Sequence, residues 1–92
     1  MTYGFLVFYK FKQLNEEEEK KARNFWKEFR NNLPGNIKLV GEYKHAWGTQ
    51  WNGYLVLEAE TMNDFIKFWP IFRDKTRWYV QATETIISTK TE

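Results

Sequence analysis

The chain has 92 residues, 42% hydrophobic and 20% aromatic, with fourteen Lys and Arg against twelve Asp and Glu. That length holds one domain with a modest core, and a net charge of +2 with both signs interspersed is not the basic stripe of a nucleic-acid binder. The absence of cysteine excludes disulfides, thiolate catalysis and Cys-ligated metals, and the longest apolar run, Phe5 to Tyr9, is far too short to span a bilayer.

The first predicted element is a strand over Tyr3–Tyr9, ending at Lys10-Phe11-Lys12. It is apolar at both parities, so both of its faces avoid water. Asn15-Glu16-Glu17-Glu18 then reads as an N-cap with a carboxylate three residues on, in a first turn where the helix dipole favours negative charge. Ala22, Phe25, Trp26, Phe29 and Leu33 follow at helical spacing as one apolar stripe, and Pro34-Gly35 stops the helix. The glutamate run is a solvated helix face.

Ile37, Leu39, Gly41 and Tyr43 alternate with Lys38, Val40, Glu42 and Lys44, the pattern of a half-buried strand. It runs into a turn-rich segment at His45 to Gln50, where Gly48 supplies the turn. Gly53–Ala59, entered through Trp51 and Asn52, is the return strand of a hairpin whose register a bulge would alter. Thr61 to Asp64 repeats the capping signal. Met62, Phe65, Ile66 and Trp69 give a second, shorter stripe ending near Trp69, with Pro70 able to open one further turn through Ile71 and Phe72. Trp78–Ile87 is the final strand, with Trp78, Val80, Ala82 and Ile86 on one face and Gln81, Thr83 and Thr85 on the other. The tail from Ser88 to Glu92 is expected to fray.

This order predicts an α+β, ferredoxin-like βαββαβ domain over residues 1–92, a four-stranded antiparallel sheet with two helices on one face. Phe5, Val7, Phe11, Leu55 and Leu57 are expected beneath the helices. Leu6, Phe8, Tyr54 and Val56 then lie on the opposite face, with Lys10, Glu42 and Glu58 at its rim. Two helices cover one sheet face only, so the second apolar face is expected to meet a partner chain, a ligand or a nucleic acid.

Element order, the Lys10-Phe11-Lys12 strand end before an acidic helix, the Pro34-Gly35 turn and Gly41-Glu42-Tyr43 before a loop make the chain resemble the dimeric α/β-barrel superfamily. The resemblance covers nearly the whole chain. It implies a homodimer joined through its sheets, with Leu6, Phe8, Tyr54 and Val56 at the interface, and a pocket between sheet and helices in each subunit. Members include antibiotic-biosynthesis-monooxygenase-like and other cofactor-independent monooxygenases, haem-degrading enzymes, isomerases and uncharacterised proteins. Haem-binding members supply an axial histidine from the second helix region, where this chain has none. No cofactor and no metal are therefore expected.

The sole histidine, His45, is the residue type that exchanges protons near neutral pH, and it is the candidate catalytic group. The bland reading is an exposed hairpin histidine, because no nucleophile or second acid accompanies it. Trp47, Trp51, Asn52, Tyr54 and Trp69 join His45 as candidate ligand-binding residues, of the kinds that cofactor-free oxygenases place around a polycyclic substrate. A lone histidine without Cys cannot build a tetrahedral zinc site within one chain. RNA-recognition domains share this element order, but Asn52 stands where their motif has a base and Val56 where it has its second aromatic, so nucleic acid is disfavoured. The expected function is binding of a small apolar or aromatic molecule. The alternatives are a monooxygenase-like enzyme, a single-stranded nucleic-acid binder and a purely structural or assembly protein. The chain carries no basic-then-apolar leader pattern, and its expected location is cytoplasmic.

Overall fold

The computed structural model describes residues 1–91. Its elements are β1 (Tyr3–Phe11), α1 (Glu16–Asn31), β2 (Lys38–Lys44), β3 (Gly53–Ala59), α2 (Met62–Thr76) and β4 (Val80–Thr89). The strands form one sheet in the order β2-β3-β1-β4, with antiparallel neighbours throughout. This is the ferredoxin-like βαββαβ arrangement that the element order predicts.

Local chemistry fixes the helix ends. The Asn15 side chain accepts from the Glu18 N–H at 2.8 Å while the Glu18 carboxylate accepts from the Asn15 N–H at 3.1 Å, a closed capping box that starts α1. At the other end the Asn32 side chain donates to the Glu28 carbonyl at 2.8 Å, and α1 stops before Pro34. Thr61 caps α2 by accepting from the Asp64 N–H. The second helix does not end near Trp69: it continues through Pro70 to Thr76. Pro70 sits on the exposed side, as does Ile66, whose carbonyl loses its helical donor, while Phe68, Phe72 and Thr76 are buried. Burying Phe68 and Phe72 contributes about 1.5–3 kcal/mol each, which offsets the roughly 3 kcal/mol of an interior proline.

Between sheet and helices lies a core of Phe5, Val7, Tyr9, Leu55, Leu57, Phe65, Phe68 and Phe72. Phe5 and Phe65 stack with ring planes only 5° apart, locking α2 onto β1. The odd residues of β1 and β3 face the helices, as alternation predicts. Leu6, Phe8, Tyr54 and Val56 lie half-buried on the opposite face.

Three expectations about the strands are corrected. In β2, Leu39 pairs with Leu57 and Gly41 with Val56, so Val40 is an extra residue and everything after it changes face. Glu42 therefore points to the helix side, opposite Leu55, instead of sitting at the outer rim, and Tyr43 stacks on Tyr54 outside at 4.8 Å. A similar shift between Lys10 and Phe11 turns Val80 toward the core, away from the face of Ala82 and Ile86, and Trp78 lies in the turn before β4. Phe11 keeps the helix-side parity but sits at the sheet's end, 42% exposed. The tail is held further than expected: Ser88 and Thr89 pair with Gly4 and Tyr3, and the Lys90 N–H donates to the Thr2 carbonyl at 2.8 Å. Glu92 lies outside the described residues. Among the described residues no helix is long and apolar enough to cross a membrane.

Candidate functional site

Helix α1 carries Ala22 on its sheet-facing stripe, where Trp26 and Phe29 occupy the next two turns. The small side chain leaves room, and a cavity of about 400 Å³ opens between the N-terminal half of α1, the end of α2 and the helix face of the sheet. This is within the usual range for small-molecule sites, roughly 300–1,000 Å³. Val7, Leu55, Phe72 and Val80 give it apolar walls, and Tyr9, Glu42, Thr76 and Tyr79 supply polar groups.

The β2 bulge brings Glu42 into this space. Its carboxylate accepts from the Trp26 indole N–H at 2.6 Å and from the Arg30 guanidinium at 2.8 Å, so α1 is tied to β2 through two charge-assisted bonds. Tyr9 leans across Gly53 and donates its hydroxyl proton to the Tyr43 carbonyl at 3.2 Å. A Cβ at Gly53 would collide with that carbonyl and with the Tyr9 hydroxyl, so the close approach requires glycine. Burial, with the Glu42 charge adding to it, pushes the Tyr9 phenol up to about 12. Burial first, then Tyr9 and Glu42, raises Tyr79 as well. Both phenols stay protonated, and Tyr9 is the one that donates to a protein carbonyl among the described residues.

The entrance lies at one end of the sheet, where β1 and β2 finish and β3 and β4 begin. Lys12, Arg23, Lys44 and His45 surround it, with Glu19 and Asn52. Asn52 ties this end together: its side-chain oxygen accepts from the Phe11 N–H at 2.8 Å, and its own N–H donates to the Tyr9 carbonyl at 2.9 Å. His45 takes a left-handed backbone, φ 56°, which is uncommon for a residue with a Cβ, and Gly48 takes φ 85° in the same hairpin.

Of the residues singled out from the sequence, His45 and Asn52 line this cavity together. The others lie elsewhere. Trp47 is 92% exposed on the hairpin. Trp51 and Tyr54 pack against Phe8 on the far sheet face, with ring centroids 6.4 and 5.3 Å away. Trp69 stacks between Phe65 and Phe72 on α2, with the Arg73 guanidinium 5.8 Å above its ring. Sequence reasoning missed Tyr9, Trp26, Glu42, Thr76 and Tyr79. Tyr9 continues the Phe5-Val7 parity and was legible as an inward hydroxyl, whereas Glu42 reaches the cavity only through the bulge. Among the described residues no three His, Asp or Glu side chains cluster as metal ligands.

No protein-family model matches the sequence, and no curated protein matches it. Solved structures do. A Dabb family protein with a ferredoxin-like fold from Mesorhizobium loti superposes with a TM-score of 0.71 at 12% identity, covering 99% of this chain and 98% of the other. A dimeric ferredoxin-like protein of unknown function from Bacteroides fragilis gives 0.64 at 17% identity, over 97% and 96%. Hydroxynitrile lyase from Passiflora edulis gives 0.60 at 14% identity, over 99% and 94%. The chain is thus an α+β protein with the ferredoxin-like fold of Dabb and other dimeric ferredoxin-like proteins, which bears out the resemblance drawn from its element order. At these identities the likeness is one of fold, and function rests on the site.

Proposed function

We propose that the protein binds a small apolar or aromatic molecule in the cavity between α1 and the sheet, and that it does so as a homodimer joined through its outer sheet faces. The observation that carries the binding reading is the cavity itself: about 400 Å³, apolar in its walls, with protonated tyrosine donors and an immobilised Glu42 at defined positions. A few fixed polar groups inside an apolar concavity orient a ligand, whereas plain packing would fill the space. The dimer reading is supported by Leu6, Phe8, Tyr54 and Val56 on a face no helix covers, and by the dimeric description of structures with this fold from Bacteroides fragilis and Thermobifida fusca. A thermal-shift screen of apolar and aromatic compounds on the wild type and on Ala22→Phe tests the binding. Ligands should raise the melting temperature of the wild type and not of the filled variant, with circular dichroism confirming that the variant folds. Compounds that stabilise both proteins equally would contradict the proposal.

A second reading, acid–base chemistry on the bound molecule, is favoured by one observation. His45, the only histidine, lines the cavity in a left-handed backbone, a conformation that costs of order 1–3 kcal/mol and concentrates at functional sites. Passiflora edulis hydroxynitrile lyase carries catalysis on the same fold. His45→Gln should leave ligand affinity within a few-fold and abolish any turnover found for a bound compound. Unchanged turnover would remove the catalytic role.

A further inference from the structure

The polar groups of the cavity fall into two zones. Deep inside, Glu42 is engaged by Trp26 and Arg30, so its charge is compensated by the protein itself. Tyr9 spends its proton on the Tyr43 carbonyl. Tyr79 lines the same space, and its hydroxyl donates to no protein group among the described residues. At the entrance the charges are almost all positive. Glu19 is the one carboxylate there, and it lies 4.0 Å from Arg23 in an exposed pair. Lys12 and Lys44 line the cavity and make no ion pair with any described residue.

Those two lysines flank one opening. Lys44 ends β2 and Lys12 follows the end of β1, with β3 between them in the sheet. Lys44 stands level with Tyr9 through Gly53, three residues short of Lys12, so two strand spacings across and about 10 Å along put their backbones about 14 Å apart, a gap that two extended lysine side chains and one carboxylate can bridge. A neutral ligand would leave both ammonium groups to water alone, and a cation would be repelled. For an anion, the three cations Lys12, Arg23 and Lys44 outweigh the single Glu19 carboxylate at the mouth.

We propose that the ligand is a monoanionic aromatic acid, held with its ring against Val7, Leu55 and Phe72 and its carboxylate at the entrance between Lys12 and Lys44. This rests on the cavity being the binding site, and it goes further by naming the chemical class and the end that enters last. Charge-assisted hydrogen bonds from two exposed ammonium groups are worth about a tenfold gain in affinity, reduced by salt because the entrance faces water.

Calorimetric titration of the full chain with 2-naphthoate and its uncharged isostere 2-naphthamide tests this. Naphthoate should bind about tenfold more tightly than naphthamide, and the Lys12→Gln, Lys44→Gln double variant should remove most of that difference by weakening naphthoate far more than naphthamide. Both lysines are exposed, so their replacement leaves the core intact. Equal affinity for the two compounds in the wild type would overturn the anion inference and leave the cavity as a site for neutral molecules. A naphthoate preference that survives the double variant would also overturn it. No binding of either compound would overturn the binding reading and this inference together.

Discussion

Replacing Glu42 with Gln probes the join between helix and sheet that shapes the cavity. The carboxylate receives two donors, the Trp26 indole at 2.6 Å and the Arg30 guanidinium at 2.8 Å. An amide keeps one acceptor oxygen, so one of the two donors must face its NH₂ group instead. Each hydrogen bond to a charged group contributes about 1.5–3 kcal/mol. Glu42 is only 16% exposed and Arg30 37%, so the guanidinium can recover part of its lost bond from water. The net loss should therefore fall near the low end, about 2 kcal/mol, equivalent to a fall in melting temperature of about 8–16 °C for a chain of this size. Urea unfolding followed by far-UV circular dichroism, at fixed protein concentration because association adds to apparent stability, measures it. A cycle with Arg30→Gln should give a coupling of about 1 kcal/mol between the two positions. A Glu42→Gln protein within about 0.5 kcal/mol of the wild type, with no coupling to Arg30, would show that the network does not hold α1 to β2.

Gly53→Ala should destabilise by about 1–3 kcal/mol, since the added methyl meets a backbone carbonyl that cannot move, and Gly41→Ala should cost less because its nearest neighbour is the movable Tyr43 ring at 2.9 Å; paired thermal melts compare them. Phe8→Glu places a charge in the middle of the outer apolar face, and sedimentation velocity should show a dimer for the wild type and a monomer for the variant; identical sedimentation of the two would reject the interface. For alkaline pH, the folded phenols of Tyr9 and Tyr79 titrate above the unfolded value of 10, so the unfolded chain loses protons first. Their contribution is complete below pH 10 and is lost as pH rises toward about 12, so the melting temperature should drop across that window and Tyr9→Phe should flatten the drop.

Strand alternation and capping chemistry carried most of the fold, because both are set by neighbours in sequence. Phe5, Val7, Leu55 and Leu57 face the helices with the period of two that their spacing requires, and Asn15 and Thr61 start their helices as their side-chain oxygens dictate. What escaped depends on contacts between distant segments. The extra residue at Val40 is decided by Glu42 finding Trp26 and Arg30 on α1, a pairing that nothing local signals. Pro70 reads locally as a stop, and only the burial of Phe72 and Thr76 beyond it carries α2 onward. The hairpin tryptophans look like pocket walls in a linear reading. The sheet's register instead sends Trp51 to the outer face, and Trp47 stands in solvent.

The cavity between α1 and the sheet is tested most directly by following the five tryptophan indole N–H signals in a ¹⁵N-labelled sample during titration with 2-naphthoate. Trp26 donates to Glu42 inside the cavity, whereas Trp51 packs on Phe8 across the sheet and Trp47 is solvent-exposed. A saturable shift of the Trp26 signal, with Trp47 and Trp51 unmoved, is the expected result. Movement of Trp51 with Trp26 unchanged would put the ligand on the outer face of the sheet, and no movement at millimolar ligand would leave the cavity without the role assigned to it.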